Sequence, residues 1–511
     1  MASAVTTMPT HPADDLVDKG DTEMLDYVAA EDTDEYKEFL RLSKHFTGRT
    51  KTRLVRSIDM RVLSVLTVLY LAAYIDRSNI GNAALFGLKE ELGLSSSHYN
   101  NALMSFFFTY ALFDIPSTIF LKRFGPATYI ALAMTAFGII TIATGFVKDI
   151  GGLVTCRVLL GVFESGLFPG VVYILSSWYT KYELQTRIAI FFGGASASGA
   201  FAGLLAYAIA NLDGKLGHRA WHYIFWIEGG ATTLLGLTCY FYVSDTPEKA
   251  RWLKPDERRY LTLRLKYSSG NIANTSHFEW KYVKQALSDW KGWCGCLLFL
   301  CQCIPVYGLS YTMPTIVKNL GFSAARAQGI TAPPYIFAAL FTIAVSILSD
   351  RYKKRWTFLA GAYALGLVGY VILVTTAGKN HLTGVTLFGI FLTASGMYAC
   401  TPPTMAWIAN NTEGQTKRAV TLAIVPTIGQ LGGVIGSQIY LSYQAPKYPV
   451  GFGVSMAAAG LGIVTTVAMR FAFSRTNARR GQISEEEVRA RYSGAELTEM
   501  GDKSPLFRYT L

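Results

Sequence analysis

Tyr74-Ile75-Asp76-Arg77-Ser78-Asn79-Ile80-Gly81-Asn82-Ala83 lies in the middle of an apolar segment that runs from about Val62 to Leu88. A helix of that length is about 40 Å long, enough to cross a bilayer core of roughly 30 Å with its midpoint near the membrane midplane. Asp76 and Arg77 would then lie where water is scarcest, at a cost of about 2.5 to 3.5 kcal/mol for each charge. Because a charge inside a membrane is so costly, this pair is the first candidate for function. The alternative is that the pair only orients the helix and neutralises neighbouring charges.

The composition is typical of a membrane protein with several spans. Hydrophobic residues make up 51% of the chain and charged residues 16%, and there are 47 glycines. The net charge of +12 does not indicate a nucleic-acid partner, because the basic residues cluster at the ends of apolar segments, as the positive-inside rule predicts. The expected surroundings are therefore a lipid bilayer, with no nucleic acid bound.

The cysteines do not predict a disulfide framework or a metal site. All seven lie within or beside apolar segments, where cysteine behaves as a small core residue. In Cys294-Gly-Cys296 and Cys301-Gln-Cys303 the two thiols of each pair point about 200° apart around a helix, so one helical face cannot present all four to a metal. No nucleophile or phosphate-loop pattern appears either. We expect neither a metal nor a cofactor, and not an enzyme.

Twelve apolar segments predict an all-α polytopic membrane protein with twelve transmembrane helices. Their centres fall near Tyr74, Ala111, Phe137, Glu164, Gly199, Gly230, Gln302, Phe337, Gly366, Ser395, Gly429 and Gly460.

The charges at the two ends of the chain predict its orientation. Residues 1–40 carry eleven acidic side chains against two lysines, a composition that favours disorder. From Arg41 to Arg61 the sign reverses, which places the amino terminus in the cytoplasm, and an even number of spans returns the carboxyl terminus to the same side. The expected units are a disordered cytoplasmic tail, six helices, a cytoplasmic linker, six helices and a cytoplasmic tail, at 1–56, 57–243, 244–290, 291–474 and 475–511.

An internal repeat supports two six-helix halves. Gln185-Thr-Arg187 opens the fifth span and Gln415-Thr-Lys-Arg418 opens the eleventh, while Lys122-Arg123-Phe124 follows the second and Asp350-Arg351-Tyr352 follows the eighth. The offsets, 231 residues from Arg187 to Arg418 and 228 from Arg123 to Arg351, agree within a small insertion. Two pseudo-symmetric halves predict a substrate site between them, near the membrane midplane.

Five motifs carry a resemblance to a known family. They are Tyr74-Ile-Asp-Arg-Ser-Asn79, Ile115-Pro-Ser-Thr-Ile-Phe-Leu-Lys-Arg-Phe-Gly-Pro126, Arg157-Val-Leu-Leu-Gly-Val-Phe-Glu-Ser-Gly-Leu-Phe-Pro-Gly170, Trp226-Ile-Glu-Gly229 and Leu348-Ser-Asp-Arg-Tyr-Lys-Lys-Arg355. With twelve spans in two halves, the chain resembles the major facilitator superfamily. Within that superfamily it resembles the fungal allantoate-permease branch of the anion:cation symporters, which includes permeases for nicotinate, pantothenate, biotin and allantoate. It departs from the superfamily pattern at Lys122, where the loop generally has Asp.

The resemblance implies roles for three charged residues. In bacterial relatives the acids that correspond to Asp76 and Glu164 take up protons, and the arginine that corresponds to Arg77 binds the carboxylate of the substrate. The residues themselves are consistent with these roles, because a planar guanidinium binds a carboxylate bidentately and a buried acid beside it can exchange a proton when an anion competes. Glu164 lies near the middle of the fourth span, at the depth of Asp76. A fixed salt bridge between Glu164 and Arg157, which lies seven residues earlier on the same helical face, is the alternative.

Other candidates follow from their positions. Aromatic walls suit a small carboxylate that carries a ring or an amide. We expect substrate contacts from Tyr74, Asn79, Tyr307, Tyr311 and Tyr398, and the same cavity could include Phe107, Tyr110 and Trp407. Residues expected in gating networks are Arg157, Asp114, Lys122, Arg123, Arg187, Asp350, Arg351 and Arg418. Glu228 is expected to tie the sixth span to its neighbours.

The resulting hypothesis is a monomeric plasma-membrane transporter that imports a small organic monoanion by proton symport with alternating access. Drug antiporters of the superfamily usually carry a Gly-Pro pair in the fifth span, and residues 194–203 contain no proline, which favours uptake. Two alternatives remain open: an exporter of a secondary metabolite, and a transporter-like nutrient receptor that signals through its tails.

Overall fold

The computed structural model describes residues 34–268, 280–352, 354–413, 415–492, 496–497 and 500–511. Twelve long helical segments, α1 to α12, dominate the described part of the chain, and each predicted centre falls within one of them. Their bounds are Ser64–Leu85 for α1, Ser96–Phe124 for α2, Pro126–Thr144 for α3, Ile150–Glu164 and Leu167–Trp178 for α4, Lys181–Ile209 for α5, Ala220–Tyr242 for α6, Trp290–Asn319 for α7, Ala324–Tyr352 for α8, Arg355–Thr376 for α9, Thr383–Ala399 and Thr401–Asn410 for α10, Gln415–Gln430 and Gly432–Ile439 for α11, and Pro449–Arg480 for α12.

The all-α membrane fold is confirmed. Among the residues that the structure describes, ten of these segments are long and apolar enough to cross a membrane, all except α5 and α6. Shorter helices connect or flank the long ones. These are Asp34–His45, Gly48–Ile58, Leu88–Glu91, Pro255–Ser268, Trp280–Leu287 and Glu485–Arg491, with a π-helical turn at Asp59–Leu63 and 3₁₀ turns at Ala210–Leu212, Lys215–Gly217, Pro247–Lys249, Asn380–Leu382, Ser442–Gln444 and Gly501–Lys503.

The helices pack as two equivalent sets of six. α1 packs against α5 and α6, as α7 packs against α11 and α12; α2 packs against α4, as α8 packs against α10; and α3 packs against α6, as α9 packs against α12. Contacts between the halves obey the same symmetry, because α5 meets α8 and α2 meets α11, with α1 and α7 between them. The repeat in the sequence therefore corresponds to a repeat in the packing.

Equivalent helices of the two halves are interrupted at their middles. α4 breaks at Ser165 and Gly166, and α10 breaks at Cys400, where Pro402 lies in the first turn of the second part. Proline has no N–H to donate and glycine weakens a helix, so these residues favour a break. Glu164 is the last residue before the break in α4.

Small residues allow the halves to approach closely. A Cβ atom on Gly81 of α1 would lie 3.0 Å from the carbonyl oxygen of Tyr311 in α7, and one on Gly199 of α5 would lie 2.7 Å from the ring of Tyr335 in α8. A side chain at either position would push the two halves apart.

The amino-terminal region differs from the expectation of a disordered tail. Residues 1–33 lie outside the described part, but most of residues 34–56 are helical. Leu42 and Phe46 are buried, and the ring of Phe46 stacks on Tyr260 of the linker with 4.6 Å between centroids. The acidic composition of residues 1–40 indicated disorder, because the apolar side of these helices is short and its partner is the linker helix.

The carboxyl-terminal tail docks on the second half. Trp407 Nε1 and Asn411 Nδ2 donate to the carbonyl oxygen of Thr510, at 2.8 and 3.1 Å, and the backbone N–H of Arg355 donates to that of Leu511 at 3.0 Å. The ring of Tyr509 stacks on Phe473 of α12. Because these contacts reach α9, α10 and α12, the tail closes one end of the second half.

Candidate functional site

The stretch from Tyr74 to Ala83 lies in α1, and its charged pair is buried. Asp76 is 1% exposed and Arg77 4% exposed. The two side chains leave the helix about 100° apart, as neighbouring helical residues must. They therefore meet different neighbours, and each builds its own cluster.

Arg77 forms an ion pair with Glu164 of α4. Nη2 of Arg77 contacts one carboxylate oxygen, and Nε donates to the other at 3.4 Å. Glu164 is 2% exposed, so both charges are removed from water. The pairing is bidentate, and the partner of Glu164 is Arg77; no ion pair between Glu164 and Arg157 occurs among the described residues.

Arg77 also reaches across the junction of the two halves. Nη1 donates to the hydroxyl of Tyr307 in α7 at 2.8 Å, and that hydroxyl donates to the amide oxygen of Gln430 in α11 at 2.7 Å. A buried guanidinium of the first half is thus hydrogen-bonded to the second half, which is where the repeat predicts a substrate site.

Aromatic rings surround the guanidinium of Arg77. Its Cζ atom lies 4.4, 5.1, 5.3 and 5.8 Å from the ring centroids of Tyr74, Phe106, Tyr110 and Tyr307. At these distances the ring faces attract the cation. The site therefore combines one positive charge with flat apolar walls.

Asp76 points away from the junction, toward α6. Thr232 Oγ1 donates to Asp76 Oδ2 at 2.7 Å, and Asn79 Nδ2 donates to Oδ1 at 3.3 Å. Glu228, one turn before Thr232 on α6, is 3% exposed. Arg157 of α4 is 1% exposed, and its Cζ lies 6.0 Å from the ring centroid of Phe225.

The remaining predicted contact residues lie in two places. Tyr311 stacks beside Tyr307 with 6.4 Å between ring centroids, and Tyr398 of α10 meets Tyr335 of α8 edge to face at 6.0 Å. Trp407 lies away from the junction, under the carboxyl-terminal tail. Trp407 was expected in the cavity because it lies in the apolar tenth span. The sequence around it does not reveal its cover, because the tail residue that it binds, Thr510, is far away in the chain.

The predicted gating residues form no single network in the described part of the chain. Asp114 of α2 does contact the other half, because its carboxylate accepts a hydrogen bond from Thr427 of α11. The others have partners within their own half or are exposed. Arg187 pairs with Asp59 at 3.1 Å, and Asp350 pairs with Arg355. Arg418 donates to the carbonyl oxygen of Thr412 at 2.8 Å, whereas Arg123 and Arg351 are exposed. The side chain of Lys122 lies outside the described residues.

Three residues of the site were missed from sequence: Phe106, Gln430 and Thr232. Gln430 and Thr232 are buried polar residues, 8% and 2% exposed. Gln430 accepts a hydrogen bond from Tyr307, and Thr232 donates one to Asp76. A glutamine within an apolar span is a detectable signal, because its amide needs a buried partner. A threonine in such a span is too common to be one.

The cysteines and acids of the described residues do not assemble a metal site. All seven cysteines are free thiols. Across the ranges that the structure describes, no group of three His, Cys, Asp or Glu side chains is placed to hold a metal ion.

Comparison with known proteins identifies relatives along nearly the whole chain. The profile of the Major Facilitator Superfamily matches residues 66–437. The chain is 43% identical over 486 residues to the MFS-type transporter cnsO of Penicillium expansum, with 93% of this chain and 94% of that protein covered. It is 31% identical over 462 residues to the high-affinity nicotinic acid transporter of Saccharomyces cerevisiae, with 89% and 84% covered.

Solved structures agree with this fold. A bacterial homologue of the human lysosomal transporter Spinster, in an inward-facing and unoccupied conformation, is similar with a TM-score of 0.60. The sequence identity is 18%, and the similarity covers 80% of this chain and 93% of that one. At this identity the likeness concerns the fold alone.

Proposed function

The chain belongs to the Major Facilitator Superfamily and is a transporter rather than an enzyme, and we propose that it imports a small organic monoanion by proton symport. On its motifs we assign it to the fungal allantoate-permease branch of the anion:cation symporters. The observation that carries the proposal is the buried guanidinium of Arg77 at the junction of the halves, paired with Glu164 and bound to Tyr307.

Arg77 suits an incoming carboxylate for geometric reasons. Its planar group already holds the Glu164 carboxylate bidentately, so a substrate carboxylate of the same shape can take that place. Tyr307 and Gln430 connect the guanidinium of Arg77 to α7 and α11. A change of partner at Arg77 would therefore alter contacts in both halves.

Replacement of Glu164 by a substrate anion on Arg77 would couple substrate binding to the uptake of a proton. If a substrate anion takes the guanidinium, Glu164 is left buried without its counter-charge, which is strongly unfavourable for a carboxylate. Uptake of a proton by Glu164 removes that cost. Asp76, next to Arg77 in the chain and buried against Thr232, is the second residue that we assign to proton coupling.

The walls of the site favour an anion with a flat ring. Tyr74, Phe106, Tyr110 and Tyr307 enclose the guanidinium, and such rings stack on planar groups. One relative is named as a nicotinic acid transporter, and nicotinate is a ring that carries one carboxylate. Nicotinate is therefore the first substrate to test.

We propose that the protein works in the plasma membrane with both termini in the cytoplasm, and that its halves alternate access to the site. Most contacts between the halves in the described part of the chain are made by three helix pairs, α5 with α8, α2 with α11 and α1 with α7. A junction of separate helix pairs allows one half to rock against the other around a central site.

The test is uptake by the purified protein in liposomes, with labelled nicotinate and with pantothenate, biotin and allantoate in parallel, with and without an imposed proton gradient. We expect accumulation only with the gradient. Arg77→Ala should raise KM about 10- to 150-fold, because a hydrogen bond to a charged group contributes about 1.5 to 3 kcal/mol. Arg77→Lys should restore uptake poorly, because lysine keeps the charge but loses the bidentate geometry.

Arg326→Ala is the matched control, since this arginine is exposed, and it should transport as the wild type does. Glu164→Gln should reduce gradient-driven accumulation more than nicotinate exchange. Undiminished uptake by Arg77→Ala would refute the assignment of the site, and equal loss of both activities in Glu164→Gln would assign Glu164 a structural role.

A further inference from the structure

The contact between α1 and α6 holds a carboxylate that the proposed substrate site does not use. Glu228 of α6 is 3% exposed, and neither of its carboxylate oxygens has a hydrogen-bond partner among the described residues. A buried carboxylate in that condition is strongly disfavoured when charged. It becomes acceptable when it carries a proton and donates it to a neighbour.

Asp76 faces the same contact from α1. Thr232, which donates to Asp76 at 2.7 Å, lies one turn after Glu228, and Asn79, which donates to Asp76 at 3.3 Å, lies one turn after Asp76. Residues one turn apart share a helical face, so both acids lie on the facing sides of α1 and α6. Two charged carboxylates on these facing sides would repel each other.

An acceptor for the proton of Glu228 is present. The amide oxygen of Asn79 is buried and has no hydrogen-bond partner among the described residues, although its amide nitrogen is engaged with Asp76. Asn79 lies on the face of α1 that Asp76 shares and that meets α6. A protonated Glu228 would satisfy an oxygen that is otherwise without a donor.

The surrounding helices leave the two acids with one counter-charge. Arg77 is engaged by Glu164 and Tyr307. Arg157 of α4 interacts with Asp76 electrostatically, and its Nε and Nη2 atoms donate no hydrogen bond within the described part. α3, which packs along α6, has no charged residue in its sequence, and the charged residues of α5 are confined to its first two turns.

We infer that Asp76 and Glu228 share one proton and that transport driven by a proton gradient requires this pair as well as Glu164. Two carboxylates against the single guanidinium of Arg157 become neutral on gaining one proton, the state that a low-dielectric interior favours. The proton is taken from water on one side of the membrane and returned to water on the other. This inference rests on the proposed symport and adds Glu228 to it, as a residue that makes no hydrogen bond to Arg77.

Two measurements test the pair. The first is difference infrared spectroscopy of the purified protein in lipid, between acidic and neutral pH and without substrate, which detects protonated carboxyl groups. The wild type should show a titrating carboxyl band that is missing from both Glu228→Gln and Asp76→Asn. The second is nicotinate transport, in which Glu228→Gln should keep exchange and lose the accumulation driven by a proton gradient.

Controls separate this inference from its premise. Glu90→Gln, at an exposed acid outside the spans, should keep the band and the accumulation, and Thr232→Val should shift the pH at which the band appears. A band that persists in Glu228→Gln, or gradient-driven accumulation that persists in it, overturns the inference. Loss of the band in Glu228→Gln while no anion of the panel is transported would support the proton site and refute the proposed function.

Discussion

Replacing Asp502 by Asn tests a buried ion cluster that joins the carboxyl-terminal tail to the second half. Lys291 of α7 and Lys417 of α11 are 2% and 4% exposed, and both contact Asp502, which is 3% exposed. Asp289 completes the cluster at 2.6 Å from Lys417 and 3.4 Å from Lys291. Burial opposes the charge of Asp289, but the hydrogen bond from Lys417 and the attraction of Lys291 outweigh burial and hold the pKa of Asp289 below its usual range.

The magnitude follows from the geometry. Lys417 Nζ lies 2.7 Å from Asp502, and at an effective dielectric constant of about 20 such a pair attracts by about 6 kcal/mol. The cost of desolvating the ions cancels part of this attraction, so the net loss on breaking one buried pair is about 3 to 5 kcal/mol. Asp502→Asn leaves two buried lysines with a single acid and should cost about that much free energy of unfolding.

The assay is thermal unfolding of the purified protein in detergent, followed by tryptophan fluorescence. For a unit the size of one half, we expect the midpoint to fall by about 6 to 20 °C, since 1 kcal/mol corresponds to about 2 to 4 °C in a domain of 150–250 residues. The double variant Asp502→Asn with Lys417→Gln should recover part of the loss, because it restores the balance of charge. A midpoint equal to that of the exposed-site control Glu90→Gln would refute the reasoning.

Three further predictions address the helices that surround the site. Gly81→Val should disfavour the arrangement in which α1 lies against α7, by about 1 to 3 kcal/mol. The distance between spin labels on the two halves should change. Gly230→Val should leave that distance unchanged, because nothing lies within 4 Å of an added Cβ at this position. Tyr307→Phe should raise KM for the transported anion about tenfold or more, because it removes a hydrogen bond to a charged group worth about 1.5 to 3 kcal/mol; an unchanged KM would exclude that hydroxyl from the site. Asp59→Asn should lower the thermal midpoint, because it weakens a bidentate pair with the half-buried Arg187, and an equal midpoint would mean that the pair contributes no stability.

The helices and their order could be predicted from the sequence because the signal is local. About twenty apolar residues in a row require a helix in a bilayer, since every backbone polar group must be satisfied within the segment. The repeated basic motifs around Arg187 and Arg418 likewise predicted two halves, and the packing repeats with the same order. The charged pair in α1 was recognisable for an equally local reason, since charges are rare in such segments.

The partners of those charges depended on tertiary structure. Two acids, Asp76 and Glu164, were expected at the same membrane depth as Arg77. Only the packing of α1 against its neighbours shows that Arg77 pairs with Glu164 and that Asp76 binds Thr232. Neighbouring residues leave a helix about 100° apart, so turning α1 by about that angle would direct Arg77 to the side where Asp76 now lies. The sequence does not encode that rotation in any local pattern.

The sequence by itself determined the all-α membrane fold, the approximate centre of each long helix, and that the rare charges Asp76, Arg77 and Glu164 are buried. Only the tertiary structure decided that Tyr307 and Gln430 complete the environment of Arg77, that Thr232 of α6 binds Asp76, and that the tail brings Asp502 to two lysines. The physical reason is that hydrophobicity and hydrogen bonding within a helix act over a few residues. The choice of partners among twelve similarly apolar helices depends on shape and charge over separations of up to several hundred residues.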